Sequence, residues 1–229
     1  MSKLESPSLL AILREGLSGL EFARLVAAAP ALASQTRGSG EPVIVLPGLG
    51  ASNTSTIPLR GYLTWLGYEV QGWTLGRNTG DVRQLLPLVV DQVRQVHLQS
   101  GSPVNIIGWS LGGVIAREVA REHPASVRQV VTMGSPVVGG AKYTSMGGAF
   151  EKRGVDLDAM EAIVEARECT PITVPLTSIY SKNDGIVGWQ ASIDRHNAQV
   201  DHIEVRATHL GLGICPEVFK IIARKLAQP

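Results

Sequence analysis

Five residues, Gly108-Trp109-Ser110-Leu111-Gly112, constrain this chain more than any other stretch. Before them runs Val104-Asn105-Ile106-Ile107, short and apolar, which reads as a buried strand. After them Gly113 to Ala120 reads as a helix. A serine between two glycines at a strand-to-helix turn is the setting of a nucleophile elbow. The chain must reverse so sharply there that the serine is strained and its hydroxyl exposed. Side chains at 108 and 112 would collide across the turn, so glycine is the residue that fits both. The following helix then starts beneath Ser110, where its N-terminal N–H groups favour developing negative charge.

The rest of the chain allows one domain with a small appendage: 229 residues, 44% apolar and 18% charged, enough for a large core. A net charge of +1 without a Lys/Arg run argues against nucleic acid as a partner. Cys169 and Cys215 have no metal-ligand spacing; two reduced thiols are expected, with pairing between them left open. Arg14, Glu15, Glu21 and Arg24 interrupt what would be the apolar core of a secretory signal. The uncharged run Leu25 to Thr36 is broken by Pro30 and too short to span a bilayer. The expectation is a cytoplasmic protein.

Ser8 to Ala29 spaces its leucines as an amphipathic helix, weakened by Gly16 and Gly19. The expectation is that its apolar face packs on the body; the alternative is peripheral membrane contact or dimerisation, and the weakly basic polar face counts against the membrane. Thr36 to Gly40 reads as a linker, so residues 1–40 form a helical extension and 41–229 the catalytic domain. Strands are expected at Val43–Leu46, Tyr68–Trp73, Val104–Ile107, Val127–Met133, Val174–Tyr180 and Asp201–Val205. Helices are expected at Pro58–Leu66, from an Asp81 N-cap to about Gln99 with Pro87 inside, at Asp156–Glu168, and at Pro216–Ala227. Apolar strands alternating with helices predict an α/β fold, a doubly wound, mainly parallel six-stranded sheet with an extra N-terminal helix. Residues 137–171 are the one sizeable insertion, a cap segment whose Leu157, Met160, Ile163 and Val164 face either the core or a ligand.

A serine hydroxyl needs a base, and the base an orienting acid. In an open parallel sheet such groups gather at the carboxyl ends of strands. Asp184 follows the strand ending at Tyr180, and His209 follows the last strand; the order Ser110, Asp184, His209 is that of hydrolases with this elbow. His97 and His123 lie in or at the end of helices, and His196 and His202 on the approach to the last strand, as do the rival acids Asp194 and Asp201. Two backbone donors must hold the tetrahedral oxyanion. Leu111 N–H follows the nucleophile. Leu49 N–H lies in the turn after the Val43–Leu46 strand, where Pro47 has no N–H to give.

Five segments together resemble the minimal bacterial α/β-hydrolase lipases and esterases of the small Bacillus lipase A type: Val45 to Ser52, Gly108 to Gly113, Val130 to Pro136, Ser178 to Val187 and Thr208 to Leu212. The resemblance implies a triad of Ser110, Asp184 and His209 with an oxyanion hole at Leu49 and Leu111. It departs at Pro47, where these lipases usually have histidine, and at Trp109, where histidine is common. The first forty residues have no counterpart in the smallest members.

The reading is a serine carboxylic-ester hydrolase working through an acyl-enzyme, with no metal or cofactor needed. Its substrate is a small-molecule ester with an apolar acyl group, because Leu49, Trp109, Leu111, Val137 and Leu210 offer little to a charged ligand; Trp109, Val137 and Leu210 are the expected substrate contacts. The alternatives are acyl transfer or thioester hydrolysis by the same triad and, further off, a binding protein on a hydrolase fold.

Overall fold

Six strands form one sheet in the computed structural model, which describes residues 4–228. They are β1 (Pro42–Leu46), β2 (Glu69–Gly72), β3 (Val104–Trp109), β4 (Val127–Met133), β5 (Leu176–Tyr180) and β6 (Val200–Glu204). Every neighbouring pair is parallel, in the order β2-β1-β3-β4-β5-β6. The helices are α1 (Leu9–Arg14), α2 (Leu20–Ala27), α3 (Ala29–Ala33), α4 (Ile57–Trp65), α5 (Val82–Ser100), α6 (Leu111–Glu122), α7 (Gly147–Glu151), α8 (Leu157–Glu168) and α9 (Pro216–Leu226). No helix among the described residues is long and apolar enough to cross a membrane.

Both faces of the sheet are covered at its centre, which is why β1, β3 and β4 are buried almost throughout, while the edge strands β2 and β6 carry polar, partly exposed residues. Val43 and Val45 of β1 pack with Leu59 and Leu63 of α4 and Phe219 and Ile222 of α9. Ile44 and Leu46 point the other way, to Val89 and Val93 of α5 and Ile115 and Val119 of α6. After β2 the chain crosses β1 to reach β3 on its far side. The connections leaving β1 and β3 therefore diverge and open a crevice at their carboxyl ends. The helix after Asp81 runs on through Pro87, and Asp81 Oδ1 accepts from Gln84 N–H at 3.2 Å.

The N-terminal extension departs from expectation. It is not one helix but α1, a 3-10 turn at Glu15–Leu17, α2 and α3. The breaks fall beside Gly16, Gly19 and Ala28. Its apolar face is not laid on the body: Leu9 is 80% exposed and Leu13 75%, and Leu17, Leu20, Phe22 and Val26 also face outward. What turns inward is Ala11, Glu21 and Leu32, with Leu25 and Ala28 against the core. The residues after α3 are tied down rather than free: Gly38 N–H bonds Leu66 O at 2.9 Å, Gly40 N–H bonds Gly67 O at 2.9 Å, and the Arg37 guanidinium donates to Trp65 O at 2.7 Å.

Candidate active site

Ser110 sits between β3 and α6 at φ 54°, the one non-glycine residue at positive φ among the described residues. Strain of this kind persists only where the surroundings enforce it. A Cβ at 108 would lie 2.3 Å from Gly113 Cα, and one at 112 would lie 2.4 Å from Leu46 O. Ser110 N–H bonds Met133 O at 2.8 Å, which fixes the turn to β4.

Two strands along the sheet, the loop after β5 brings in Asp184, and the loop after β6 brings in His209; both are buried. Asp184 Oδ2 lies 2.7 Å from His209 Nδ1. Asp184 Oδ1 accepts from Ile186 N–H at 2.9 Å and Val187 N–H at 2.7 Å, so the carboxylate is held at both oxygens. Ser110 and His209 line the same cavity, and no hydrogen bond joins the Ser110 hydroxyl to the ring among the described residues. Catalytic contacts of unliganded sites are often long and tighten with substrate.

The rival residues have other partners. Asp194 is paired with the Arg117 guanidinium at 2.6 Å and accepts from His196 and Asn197 N–H. Burial alone would raise its carboxyl, but Arg117 and those donors outweigh it and hold the group below the usual range. His202 Nε2 accepts from Asp194 N–H at 3.0 Å. Cys169 and Cys215 are both free thiols; the first is exposed, and burial pushes the second upward.

Leu111 is the first residue of α6, where no carbonyl within the helix reaches its N–H. Leu49 lies in the turn after β1, and neither amide is engaged elsewhere among the described residues. What holds that turn is Asn78, from the loop after β2, a residue outside those expected at the site. It is fully buried; its side-chain amide donates to Pro47 O at 3.0 Å, and its backbone exchanges two 2.8 Å bonds with Gly50 N–H and Ala51 O. An asparagine between Gly76 and Gly80 was the available signal, since its side chain readily bonds nearby backbone.

The crevice opens into a cavity of about 880 Å³. Leu49, Trp109, Ser110, Leu111, Val137, His209 and Leu210 line it, so the residues expected to contact substrate share one space. The Trp109 ring lies 6.2 Å from that of His209, centroid to centroid. Residues 137–171 form the opposite wall: Met160, Ile163 and Val164 of α8 face the cavity with Met146 and Phe150, while Leu157 is buried.

That wall is tied in place. Glu168, at the end of α8, bonds Arg117 at 3.1 Å and Arg121 at 2.8 Å, all three side chains being buried. Lys142 pairs with Asp158 at 2.5 Å and Glu161 at 2.6 Å, and Arg167 pairs with Glu122 at 2.7 Å.

A family model described as palmitoyl protein thioesterase matches residues 42–195, about two thirds of the chain, from β1 past the Asp184 loop. No curated protein matches. Among solved structures, one of two metagenome-derived lipolytic enzymes superposes with a TM-score of 0.65 at 15% identity, covering 84% of this chain and 94% of that one. Lipase B of Aspergillus fumigatus gives 0.64 at 18% identity, over 82% of this chain and 52% of that one. A Bacillus licheniformis lipase gives 0.61 at 14% identity, over 84% and 94%. At such identities the likeness establishes the shared α/β-hydrolase fold. The family match carries the assignment further: this chain is a hydrolase, and it belongs to the palmitoyl protein thioesterase family.

Proposed function

We propose that the chain hydrolyses acyl esters with Ser110 as nucleophile, His209 as base and Asp184 as the acid that orients it. The observation that carries the reading is the buried Asp184–His209 pair, 2.7 Å apart, opening on the same apolar cavity as the strained serine. Ser110 Oγ attacks the acyl carbonyl carbon while His209 Nε2 takes its proton. The negative oxygen is held by Leu49 N–H and Leu111 N–H. The carbon–heteroatom bond breaks, and the leaving group departs with the proton from His209. Water, deprotonated by the same ring, attacks the acyl-serine and restores the hydroxyl.

The triad serves oxygen esters and thioesters alike, and the family match favours the thioester as a second reading of the same site. The cavity bears on the acyl half in both cases, through Leu49, Val137, Met160, Ile163, Val164 and Leu210. The exposed leucines of α1 are where such an enzyme would meet an acyl-chain surface, a peripheral contact with a membrane.

The deciding experiment compares p-nitrophenyl esters of increasing chain length with acyl thioesters of the same chains. A medium-chain acyl group should be turned over in at least one series, and Ser110→Ala should lower the rate by more than about 10³-fold. A fluorophosphonate should label Ser110 in the wild type and leave the variant unlabelled. An adduct on another serine, or full activity in the variant, overturns the assignment. Product analysis with an added alcohol separates hydrolysis from acyl transfer.

A further inference from the structure

The N-terminal extension places one charged side chain where the proposed acid and base are held. Glu15 Oε1 accepts from Gly185 N–H at 2.8 Å and from His209 N–H at 2.7 Å, and Oε2 accepts from Leu210 N–H at 2.9 Å. Gly185 directly follows Asp184, so a single carboxylate spans the two loops that carry the pair. Besides the Asp184–His209 pair itself, Ala207 N–H to Ser181 Oγ also links the two loops, at 3.4 Å. Bonds to an ionised acceptor are roughly twice as strong as neutral ones.

The 183–188 loop is shaped to receive the extension. A Cβ at Gly185 would lie 2.4 Å from Ala11 O, and one at Gly188 would lie 2.0 Å from Glu5 O. The extension runs over the loop at backbone distance, where side chains would block it. Arg14 adds a 3.0 Å bond to Asn183 Oδ1 at the exposed edge.

We infer that Glu15 is a positioning residue, and that residues 5–15 are a strap that sets His209 against Asp184. The inference rests on the triad reading. With the carboxylate removed, the three N–H groups turn to water and the two loops lose their shared tether. Misplacing a reacting group by about 1 Å can cost on the order of 10²-fold in rate. Glu15 bonds backbone N–H groups, that of Leu210 included, and no side chain of the cavity wall, so its loss should fall on kcat more than on KM.

The test uses the full chain with a soluble short-chain ester, in Glu15→Ala, Glu15→Gln and Arg14→Ala, beside Ser110→Ala and His209→Ala. Glu15→Ala should lower kcat by about tenfold with KM within about twofold, and slow phosphonate labelling of Ser110 by the same factor. Glu15→Gln keeps an oxygen for two of the three donors and should fall between Glu15→Ala and wild type. Arg14→Ala, which loses the exposed bond to Asn183 Oδ1 but keeps the three bonds of Glu15, should lower kcat less than Glu15→Ala does. Active-site titration corrects each kcat for folded enzyme. A corrected kcat equal to wild type in Glu15→Ala, beside an inactive His209→Ala, overturns this inference and leaves the triad standing. Activity retained in His209→Ala overturns the triad instead. If Glu15→Ala does not fold, Glu15→Gln decides: a corrected kcat lowered about threefold or more supports the strap, and an unchanged one overturns it.

Discussion

Two segments border the carboxyl edge of the sheet, and a glutamate is among the ties that fasten each to the body. The cap segment, 137–171, is fastened by Glu168, whose carboxylate takes two buried guanidinium groups, Arg117 and Arg121. The N-terminal extension is fastened by Glu15, whose carboxylate takes three backbone N–H groups. Both have amphipathic helices with apolar stripes, yet they lie in opposite senses. Helix α8 turns Met160, Ile163 and Val164 onto the cavity, whereas α1 turns Leu9 and Leu13 away from the molecule. They meet at the same loop: Ser145 N–H of the cap bonds Ile186 O at 2.8 Å, and Ala11 of the extension backs Gly185. The orientation of an amphipathic segment is thus set by what the body offers it. An apolar cavity draws in side chains, and a row of unpaired N–H groups beside glycines draws in a carboxylate and backbone.

The comparison breaks most visibly at the two glutamates. Glu168→Ala leaves two buried guanidinium groups without their shared partner. Removing one member of a buried ion pair costs about 3–5 kcal/mol. At roughly 2–4 °C per kcal/mol for a chain of this size, the melting midpoint should fall by about 6–20 °C. Glu15→Ala should move it less, because it leaves neutral backbone N–H groups rather than buried charges without their partner. Thermal melts of the two variants side by side check this. A Glu168→Ala midpoint within about 2 °C of wild type would mean that its guanidinium partners are satisfied without it.

The same contrast explains what could be read from sequence. The six strands, the elbow, and the order of Ser110, Asp184 and His209 are written locally, in apolar runs bounded by glycine and in residues at strand ends. Strand limits moved by a residue or two: β5 starts at Leu176 rather than Val174, and β6 runs Val200–Glu204 rather than Asp201–Val205. The orientation of α8 was left open between core and ligand, and that of α1 was expected inward and is outward. Neither is encoded in the helix itself, since the periodicity of an apolar stripe marks a face without saying what the face meets. Asn78 and Glu15 were missed for the same reason. Each acts on backbone groups more than twenty residues away, and a lone polar side chain in a loop or a leucine-rich helix carries no pattern to announce that.

A smaller effect separates cavity wall from solvent face. Met160→Ser combined with Ile163→Ser should reduce kcat/KM for decanoyl esters by about tenfold, given about 0.8 kcal/mol per methylene buried, and leave acetyl esters within about twofold. Because Glu168 and Arg167 hold the C-terminal end of α8 to α6 and Lys142 braces its first turns within the segment, wild-type turnover should saturate smoothly as substrate passes its solubility limit. A steep rise at that limit, lost in the double variant, would make the segment a mobile lid.

The smallest effect is expected at the outward leucines, where the test is meant to find no change in one assay and a clear one in another. Leu9, Leu13 and Leu17 are replaced together by serine. All three are more than half exposed and none lines the cavity, so hydrolysis of a soluble acetyl ester should stay within about twofold of wild type. Their exposure is itself the observation to be explained, since a run of large apolar side chains on one face marks a contact surface. If that contact is with lipid, wild type should float with phosphatidylcholine vesicles and the triple variant should stay behind. If it is with a second copy, sedimentation velocity should show a wild-type dimer and a monomeric variant, with neither protein floating. A variant that loses soluble-ester turnover by about tenfold while remaining folded would refute the contrast itself, because it would place these side chains in the cavity's service along with those of α8.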